Sequence, residues 1–222
     1  MVALHDGVRA VLVFLHGSGD TGAGLRHALA HVAGGHLVHR LRERGVELVT
    51  PSAEPRSYFL APGQMSSVWF DRHGMDPRAR EHTESLDQSA ARLAALLDEL
   101  QRAGISPHRI VVGGFSMGGG MALHLALREA DRGLAGVFAL SSFMCASSPA
   151  FALESARRAP PVFMRHGAAD GFILPRWGEA TAEELRALGA EVDFALVAGL
   201  DHTMADAEVI ELTAWVLDRL GV

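Results

Sequence analysis

Short apolar runs alternate with longer amphipathic stretches along most of this 222-residue chain. The runs are nearly continuous in Val, Leu, Ile, Phe and Ala, which is typical of strands in a parallel sheet that helices cover on both faces. We predict six strands, at Ala10–Leu15, Val46–Thr50, Arg109–Gly113, Gly136–Leu140, Val162–His166 and Glu191–Val197. The alternation therefore predicts an α/β protein with a mostly parallel central sheet and helices on both faces.

Helical periodicity fills the intervals between the predicted strands. We expect helices over Gly24–Arg44, Ser85–Ala103, Met117–Arg132, Trp177–Leu188 and Ala205–Leu220. The second helix has a capping-box pattern at its start, because Ser85 is followed three residues later by Gln88, and Gly104 can end it. The sequence contains no internal repeat and no interdomain linker, so residues 1–222 are expected to form one domain.

One long segment departs from this alternation. Residues 51–84 contain four prolines together with large apolar side chains such as Tyr58 and Trp69. A loop of this length in a compact domain is usually either functional or disordered, and the aromatic content disfavours disorder. The segment is expected to cover the sheet as a packed loop or to form a wall of a substrate site, and both can hold together.

A glycine-rich loop follows the first predicted strand and allows two interpretations. The sequence LHGSGDTG, residues 15–22, contains G-x-G-x-x-G, which is typical of a dinucleotide-binding turn. Such a site also needs an acidic residue where the second strand ends, and that strand ends in Thr50-Pro51. The alternative is that the loop directs its backbone N–H groups at another developing negative charge.

A second glycine cluster, GGFSMGGG at residues 113–120, favours this alternative. Ser116 lies in G-x-S-x-G between a predicted strand and a predicted helix, which is the context of a nucleophile elbow. There the serine side chain projects above the carboxyl edge of the sheet, and the helix N-terminus places positive dipole beside it. A glycine-rich turn that serves only helix–strand packing is the competing interpretation.

A nucleophilic serine needs a base, and the base needs an orienting acid. On a fold with this elbow the chain order is Ser, acid, His. Among the histidines that follow Ser116, His166 ends a strand and more plausibly shapes a turn. His202 lies in the loop before the last helix, where it can reach the sheet edge. Asp170 follows a predicted strand and is the preferred acid. Asp201 directly precedes His202, and the side chains of adjacent residues rarely face each other. The competing interpretation of Asp170 is a residue that only forms the turn.

The same chemistry needs two N–H donors for the oxyanion, one from the residue after the nucleophile and one from another loop. Met117 is the first donor. Ser18 is the natural second donor, because the missing Cβ of Gly17 lets the backbone approach closely. Cys145 is the other conceivable nucleophile, but it has no elbow and is interpreted as a small core residue.

Composition excludes several other classes of function. The net charge of −6, without any basic run, disfavours a nucleic-acid partner. The single cysteine allows no internal disulfide. No apolar stretch approaches the ~20 residues that span a bilayer, so we expect no stable membrane insertion and a cytoplasmic protein. His27 and His31 are spaced i,i+4 but lack a third ligand, so no metal is expected.

These motifs together resemble the acyl-protein thioesterase/carboxylesterase family of α/β-hydrolases, and in particular its lysophospholipase-like branch. The similar segments span nearly the whole chain and read FLHGSGDTG, PRSY, VWFDR, GGFSMGG, AGVFALSSF, HGAAD and the pair Asp201-His202. The resemblance implies a triad of Ser116, Asp170 and His202, oxyanion donors at Ser18 and Met117, and no metal or cofactor.

The resemblance also implies the substrates. They are carboxylic esters or thioesters, cleaved through an acyl-enzyme with short to medium acyl chains favoured. Small-molecule esters or acylated-protein thioesters are the expected partners of a monomer or weak homodimer. Many thioesterases of the family carry a tryptophan where Leu25 stands, and a glutamine where Met117 stands, which leaves a long-chain preference open.

The substrate pocket is expected to be mostly apolar, which suits an acyl group. We assign to it Leu25, Met65, Trp69, Phe143 and Ile173. Two other functions stay open at this point. One is hydrolysis of another carbonyl class, a peptide or a lactone, and the other is non-catalytic binding on the same scaffold.

Overall fold

A six-stranded parallel sheet organises the protein. The computed structural model describes residues 4, 5, 7–148 and 159–222, so residues 1–3, 6 and 149–158 of the predicted domain lie outside the description. The strands are β1 (Ala10–Leu15), β2 (Val46–Val49), β3 (Pro55–Ser57), β4 (Met65–Ser67), β5 (Ile110–Phe115), β6 (Gly136–Leu140), β7 (Val162–Gly167) and β8 (Val192–Val197). The main sheet has the order β2-β1-β5-β6-β7-β8, and every pairing in it is parallel. All six predicted strands are confirmed, with ends displaced by at most two residues.

Helices cover both faces of this sheet. They are α1 (Gly22–Leu29), α2 (His36–Glu43), α3 (Thr83–Arg102), α4 (Met117–Arg128), α5 (Pro175–Ala187) and α6 (Asp206–Leu220). Alternate residues of β1 enter two separate clusters: Val11 and Val13 pack with α3, α4 and α5, whereas Leu12 and Phe14 pack with α1, α2 and α6. Because both faces are buried, the strands are apolar along their whole length.

The helix predicted over Gly24–Arg44 is wrong, because the chain breaks into α1 and α2. Between them Ala33, Gly34 and Gly35 have φ values of 50°, 61° and 75°. The two glycines adopt this left-handed region at little steric cost. The pair Gly34-Gly35 was the local signal for this break. The buried leucines of both helices outweighed it in the prediction, because they recur at helical spacing and contact the same cluster.

The capping box predicted at Ser85 is also wrong. Helix α3 begins at Thr83, and its N-cap is His82, whose Nδ1 accepts a hydrogen bond from the Ser85 N–H at 3.3 Å. The Ser85 hydroxyl donates to the His82 carbonyl at 2.7 Å and accepts from the Asp71 N–H at 3.0 Å. The serine thus ties α3 to the preceding segment instead of capping the helix.

Residues 51–84 pack against the sheet through an antiparallel hairpin of β3 and β4. Tyr58, Trp69 and Phe70 are buried in the cluster that contains α3 and α4. The Trp69 Nε1–H donates to the His16 carbonyl at 2.9 Å, which joins the segment to the loop after β1. The long segment is therefore held beside the carboxyl edge of the sheet.

The start of α6 contains a buried acid that makes stability depend on pH. Glu208 is 2% exposed, and its Oε2 accepts the Ala205 N–H at 3.3 Å. Burial raises its pKa from the ordinary 4.5 to about 7, although the cation of Arg165 opposes the rise. The fold therefore retains a proton that the unfolded chain releases between about pH 4.5 and 7. The contribution of Glu208 to stability should fall over this interval, by on the order of 3 kcal/mol, and level off above it, whereas the buried His124, whose pKa burial lowers to about 4, contributes in the opposite direction.

Replacement of Glu208 by glutamine should remove that contribution, so the stability of the variant relative to the unmodified protein should rise between about pH 4.5 and 7. The measurement is the free energy of unfolding in urea at pH values from 4.5 to 8. Glu183→Gln, an exposed acid on α5, is the matched control and should keep the slope of the unmodified protein. A Glu208→Gln protein whose stability has the same pH dependence over this interval as that of the unmodified protein contradicts the assignment.

Candidate active site

Ser116 occupies the turn from β5 to α4 in a strained backbone conformation. Its φ of 53° and ψ of −123° lie outside the regions that non-glycine residues ordinarily adopt. The Ser116 N–H donates to the Leu140 carbonyl at 2.9 Å, and the Ser116 carbonyl accepts the Ser142 hydroxyl at 2.7 Å. These bonds hold the turn, so the side chain stands at the carboxyl edge of the sheet.

Glycines beside the turn allow three backbone segments to meet there. A Cβ on Gly114 would lie 2.3 Å from the Gly118 carbonyl carbon, and a Cβ on Gly118 would lie 2.3 Å from the Leu15 carbonyl oxygen. Backbone atoms cannot yield by that amount, so both positions require glycine. A Cβ on Gly17 would lie 3.6 Å from the Ser116 Cβ. The loop after β1 therefore lies against the nucleophile turn.

The three side chains selected from the sequence come together at this edge. The His202 Nε2 lies 3.0 Å from the Ser116 Oγ, and the His202 Nδ1 lies 2.7 Å from the Asp170 Oδ2. The other carboxylate oxygen of Asp170 accepts the N–H groups of Phe172, at 2.9 Å, and Ile173, at 2.8 Å. A hydroxyl, an imidazole and a fixed carboxylate are thus aligned in the order that proton transfer from the hydroxyl requires.

Aromatic rings hold the imidazole of His202 between them. The ring centroids of Phe115 and Phe172 lie 4.9 Å and 5.1 Å from that of His202. Phe115 directly precedes Ser116, whereas Phe172 follows Asp170 by two residues. The ring contacts therefore come from the same two turns that carry the hydroxyl and the carboxylate.

His166 is a further polar residue beside the acid, and the sequence interpretation gave it only a turn-shaping role. Its Nε2–H donates to the Ile173 carbonyl at 2.8 Å, and the same nitrogen lies 3.4 Å from the Asp170 Oδ2. Burial lowers its pKa, which favours the neutral imidazole. His166 thus spans the turn that presents Asp170. Its spacing of four residues before Asp170 was the available signal.

Two backbone N–H groups beside Ser116 have no acceptor among the residues that the structure describes. Met117 is the first residue of α4, where a helix leaves its N–H groups without intrahelical partners. The Ser18 N–H donates to no acceptor in the described part of the chain. Ser18 and Met117 both line the cavity next to Ser116, whereas the Gly19 N–H donates to the Ser67 carbonyl at 2.9 Å.

The dinucleotide interpretation of the same loop would need N–H groups that already donate within the protein. The Gly22 N–H at the start of α1 donates to the Ser52 hydroxyl at 2.9 Å, and the Gly24 N–H donates to the Thr21 hydroxyl at 3.0 Å. These are the N–H groups that a pyrophosphate at a helix N-terminus would use. Two of the N–H groups in the first turn of α1 are therefore satisfied by the protein itself.

A cavity of about 290 Å³ opens at Ser116. Residues 51–84 contribute Tyr58, Leu60, Phe70, Arg72, Met75 and Glu81 to its lining. Phe143 and Ile173, two of the predicted pocket residues, also line it. Cys145 also lines the cavity and is buried. Burial raises the pKa of its thiol well above the ordinary value, which keeps the thiol protonated.

The structure places the other three predicted pocket residues elsewhere. Leu25 lies on α1 and is buried in the cluster that α1, α2 and α6 form on one face of the sheet, so it does not line the cavity. Met65 is 68% exposed on β4. Trp69 is buried and bonded to the His16 carbonyl, and it is the next residue, Phe70, that lines the cavity. A difference of one residue along an extended chain reverses the direction of the side chain.

Metal sites and membrane-spanning helices are both absent from the part of the chain that the structure describes. No cluster of three or more His, Cys, Asp or Glu side chains there could hold a metal ion. None of the helices within residues 4–148 and 159–222 is long and apolar enough to cross a membrane.

One protein family and several known proteins are similar to this chain. Residues 2–216 match the Phospholipase/Carboxylesterase family. Lysophospholipase-like protein 1 of Mus musculus is 39% identical over 95% of this chain and 87% of its own length. Acyl-protein thioesterase 1 of Gibberella zeae is 31% identical over 95% of this chain and 91% of its own length. The crystal structure of Zea mays acyl-protein thioesterase 2 superposes with a TM-score of 0.78 at 29% identity, covering 99% of this chain and 97% of that one.

Proposed function

This chain belongs to the phospholipase/carboxylesterase family of α/β-hydrolases and is a hydrolase of esters or thioesters, and we propose that it acts through a Ser116–His202–Asp170 triad and an acyl-enzyme. The observation that carries the proposal is the pair of contacts made by His202, at 3.0 Å to the Ser116 Oγ and 2.7 Å to the Asp170 Oδ2. One imidazole therefore links a hydroxyl to a buried carboxylate.

Acylation begins with the Ser116 hydroxyl. The His202 Nε2 accepts its proton as the Oγ attacks the carbonyl carbon of the substrate. The N–H groups of Ser18 and Met117 then donate hydrogen bonds to the oxyanion of the tetrahedral intermediate. When the intermediate collapses, the protonated His202 gives its proton to the leaving alcohol or thiol, and the acyl group stays on the Ser116 Oγ.

Deacylation repeats the sequence with water. His202 removes a proton from the water as it attacks the acyl-enzyme, and the proton passes to the Ser116 Oγ when the acid is released. Asp170 accepts the His202 Nδ1–H throughout, which fixes the tautomer and stabilises the imidazolium. The N–H groups of Phe172 and Ile173 hold the carboxylate in place.

The size of the cavity supports short to medium acyl groups. Its volume of about 290 Å³ is at the lower end of the ~300–1,000 Å³ that ligand pockets span. Small-molecule esters and acylated-protein thioesters are the proposed partners, the second because two relatives are named acyl-protein thioesterases. The 51–84 segment is the proposed wall of this substrate site.

A fluorophosphonate probe tests the nucleophile directly. About one equivalent per chain should attach to Ser116 and abolish hydrolysis of p-nitrophenyl acetate, because the probe reacts with an activated serine. Peptide mass spectrometry locates the modified residue. Ser142 is the internal control, since its hydroxyl also lines the cavity but donates to the Ser116 carbonyl.

The result also separates the alternative functions. Labelling of Ser142 or another serine, with Ser116 unmodified, contradicts the proposal. Turnover of p-nitrophenyl esters and thioesters without turnover of amides or lactones excludes the other carbonyl classes, and absence of all turnover indicates a binding protein on the same scaffold.

A further inference from the structure

The active-site cavity contains two opposite charges among its apolar side chains. Arg72 and Glu81 both line it, and they are 3% and 8% exposed. The two residues are partners in an isolated antiparallel bridge, so their side chains lie on one side of the paired backbones. A guanidinium and a carboxylate are therefore buried together at a wall where the rest of the lining suits a hydrocarbon.

Each of these side chains is only partly satisfied by the protein. The Arg72 Nη2 donates to the Asp76 carbonyl at 3.1 Å, and the guanidinium lies 4.7 Å from the centre of the Phe143 ring. The Glu81 Oε2 accepts the Ala146 N–H at 2.9 Å. The Arg72 Nε and the Glu81 Oε1 are buried without a hydrogen-bond partner among the described residues. Burial also raises the pKa of Glu81, with Arg72 opposing the rise.

The cavity leads inward from the nucleophile. It extends from Ser116 to Gly120, one turn into α4, and to the buried Cys145. In the proposed reaction the leaving group must return to solvent, whereas the acyl group stays bonded to Ser116. An inward cavity therefore suits the acyl group, and the groups that line it select among acyl chains.

A purely alkyl chain that fills this cavity excludes water from both charges and offers neither of them a partner. Buried polar groups without partners are unfavourable, whereas a hydrogen bond to a charged group is among the stronger ones. An oxygen on the acyl chain can accept a hydrogen bond from the Arg72 guanidinium, which lines the cavity. A hydroxyl can in addition donate to the Glu81 carboxylate.

We propose that Arg72 and Glu81 form a polar subsite that selects short acyl groups with an ether or hydroxyl oxygen along the chain over purely alkyl groups. The inference rests on the proposed function, because it requires the acyl group to occupy the cavity beside Ser116. The same pair disfavours long alkyl chains in the cavity, because such a chain covers the two charges and offers neither of them a hydrogen-bond partner.

Length-matched esters test this subsite. Straight-chain p-nitrophenyl esters from butanoate to decanoate are compared with isosteres in which an ether oxygen replaces one CH₂, at each position along the chain. Every kcat/KM is divided by the rate of spontaneous hydrolysis of the same ester, which removes the inductive effect of the oxygen. At one position the ether ester should exceed its alkyl isostere by about 10- to 100-fold, the effect of one hydrogen bond to a charged donor.

Variants locate the effect in the charged pair. The double variant Arg72→Leu/Glu81→Leu should lose the ether preference and gain activity on octanoate and decanoate, and removal of both charges together is often tolerated in a fold. Arg72→Gln removes the charged donor alone and should also lose the ether preference. It replaces the double variant as the test if the double variant does not fold. Met75→Leu, at another lining position, is the matched control and should keep the preference.

The outcomes separate this inference from the proposed function. Equal rates for ether and alkyl esters at every position, or a preference that survives Arg72→Gln, overturns the subsite while the triad stands. Undiminished hydrolysis by Ser116→Ala overturns the triad itself, whatever the acyl preference is.

Discussion

Replacement of Ser116 by alanine is expected to lower kcat for ester hydrolysis by on the order of 10⁶, the loss seen when a serine protease loses its nucleophile. The methyl group cannot attack a carbonyl carbon, so no acyl-enzyme forms. The oxyanion donors at Ser18 and Met117 remain and leave a residual rate. The fold should persist, because the bonds that hold the turn use the backbone N–H and carbonyl of residue 116.

Steady-state hydrolysis of p-nitrophenyl butyrate, with circular dichroism to verify folding, is the measurement. Ser142→Ala is the matched control, since it removes another cavity hydroxyl and should cost no more than about tenfold, the value of one neutral hydrogen bond. A Ser116→Ala enzyme that retains most of its activity would show that the nucleophile has been misassigned. So would a loss of kcat in Ser142→Ala that exceeds the loss in Ser116→Ala.

Replacement of Asp170 by asparagine is expected to lower kcat by about 10⁴, as in the corresponding variant of a serine protease. The amide can donate to the His202 Nδ1, which moves the ring proton to Nε2. That nitrogen then faces the Ser116 hydroxyl as a donor and cannot accept its proton. The amide oxygen can still accept the N–H groups of Phe172 and Ile173, so the turn should keep its shape.

Asp201→Asn is the matched control for this variant. Asp201 is the other acid beside the base, and its Oδ1 accepts the backbone N–H of His202 at 2.7 Å. An asparagine oxygen can accept the same bond, so kcat should change by less than about tenfold. If Asp201→Asn instead shows the larger loss, the orienting acid is Asp201 and the proposed triad is incorrect.

The strands and the nucleophile turn were predictable because their signals are local. A strand buried on both faces is apolar throughout, and G-x-S-x-G supplies the small residues that a sharp turn needs where Gly114 and Gly118 meet other backbone atoms. The choice of His202 and Asp170 needed only the chain order and the positions of the loops. The structure brings these two groups within hydrogen-bonding distance of each other.

Other features could not be derived in this way. The break between α1 and α2 was missed because the apolar periodicity continues past the helix-breaking pair Gly34-Gly35. At the break, the Ala33 N–H donates to the Asp206 Oδ1 at 2.7 Å. The pocket residues were misplaced at Trp69, because its indole bonds to the His16 carbonyl and turns Phe70 toward the cavity instead. Both depend on contacts between residues distant in the chain.

By itself, the sequence determined the parallel α/β architecture and the residues that carry the proposed chemistry, because periodicity and turn composition are set by neighbours along the chain. Only the tertiary structure decided that Arg72 and Glu81 share the cavity with Ser116. No local pattern encodes which side chains share a buried space. That depends on how separate segments pack, and the burial of two incompletely paired charges has consequences only after packing has removed the water around them.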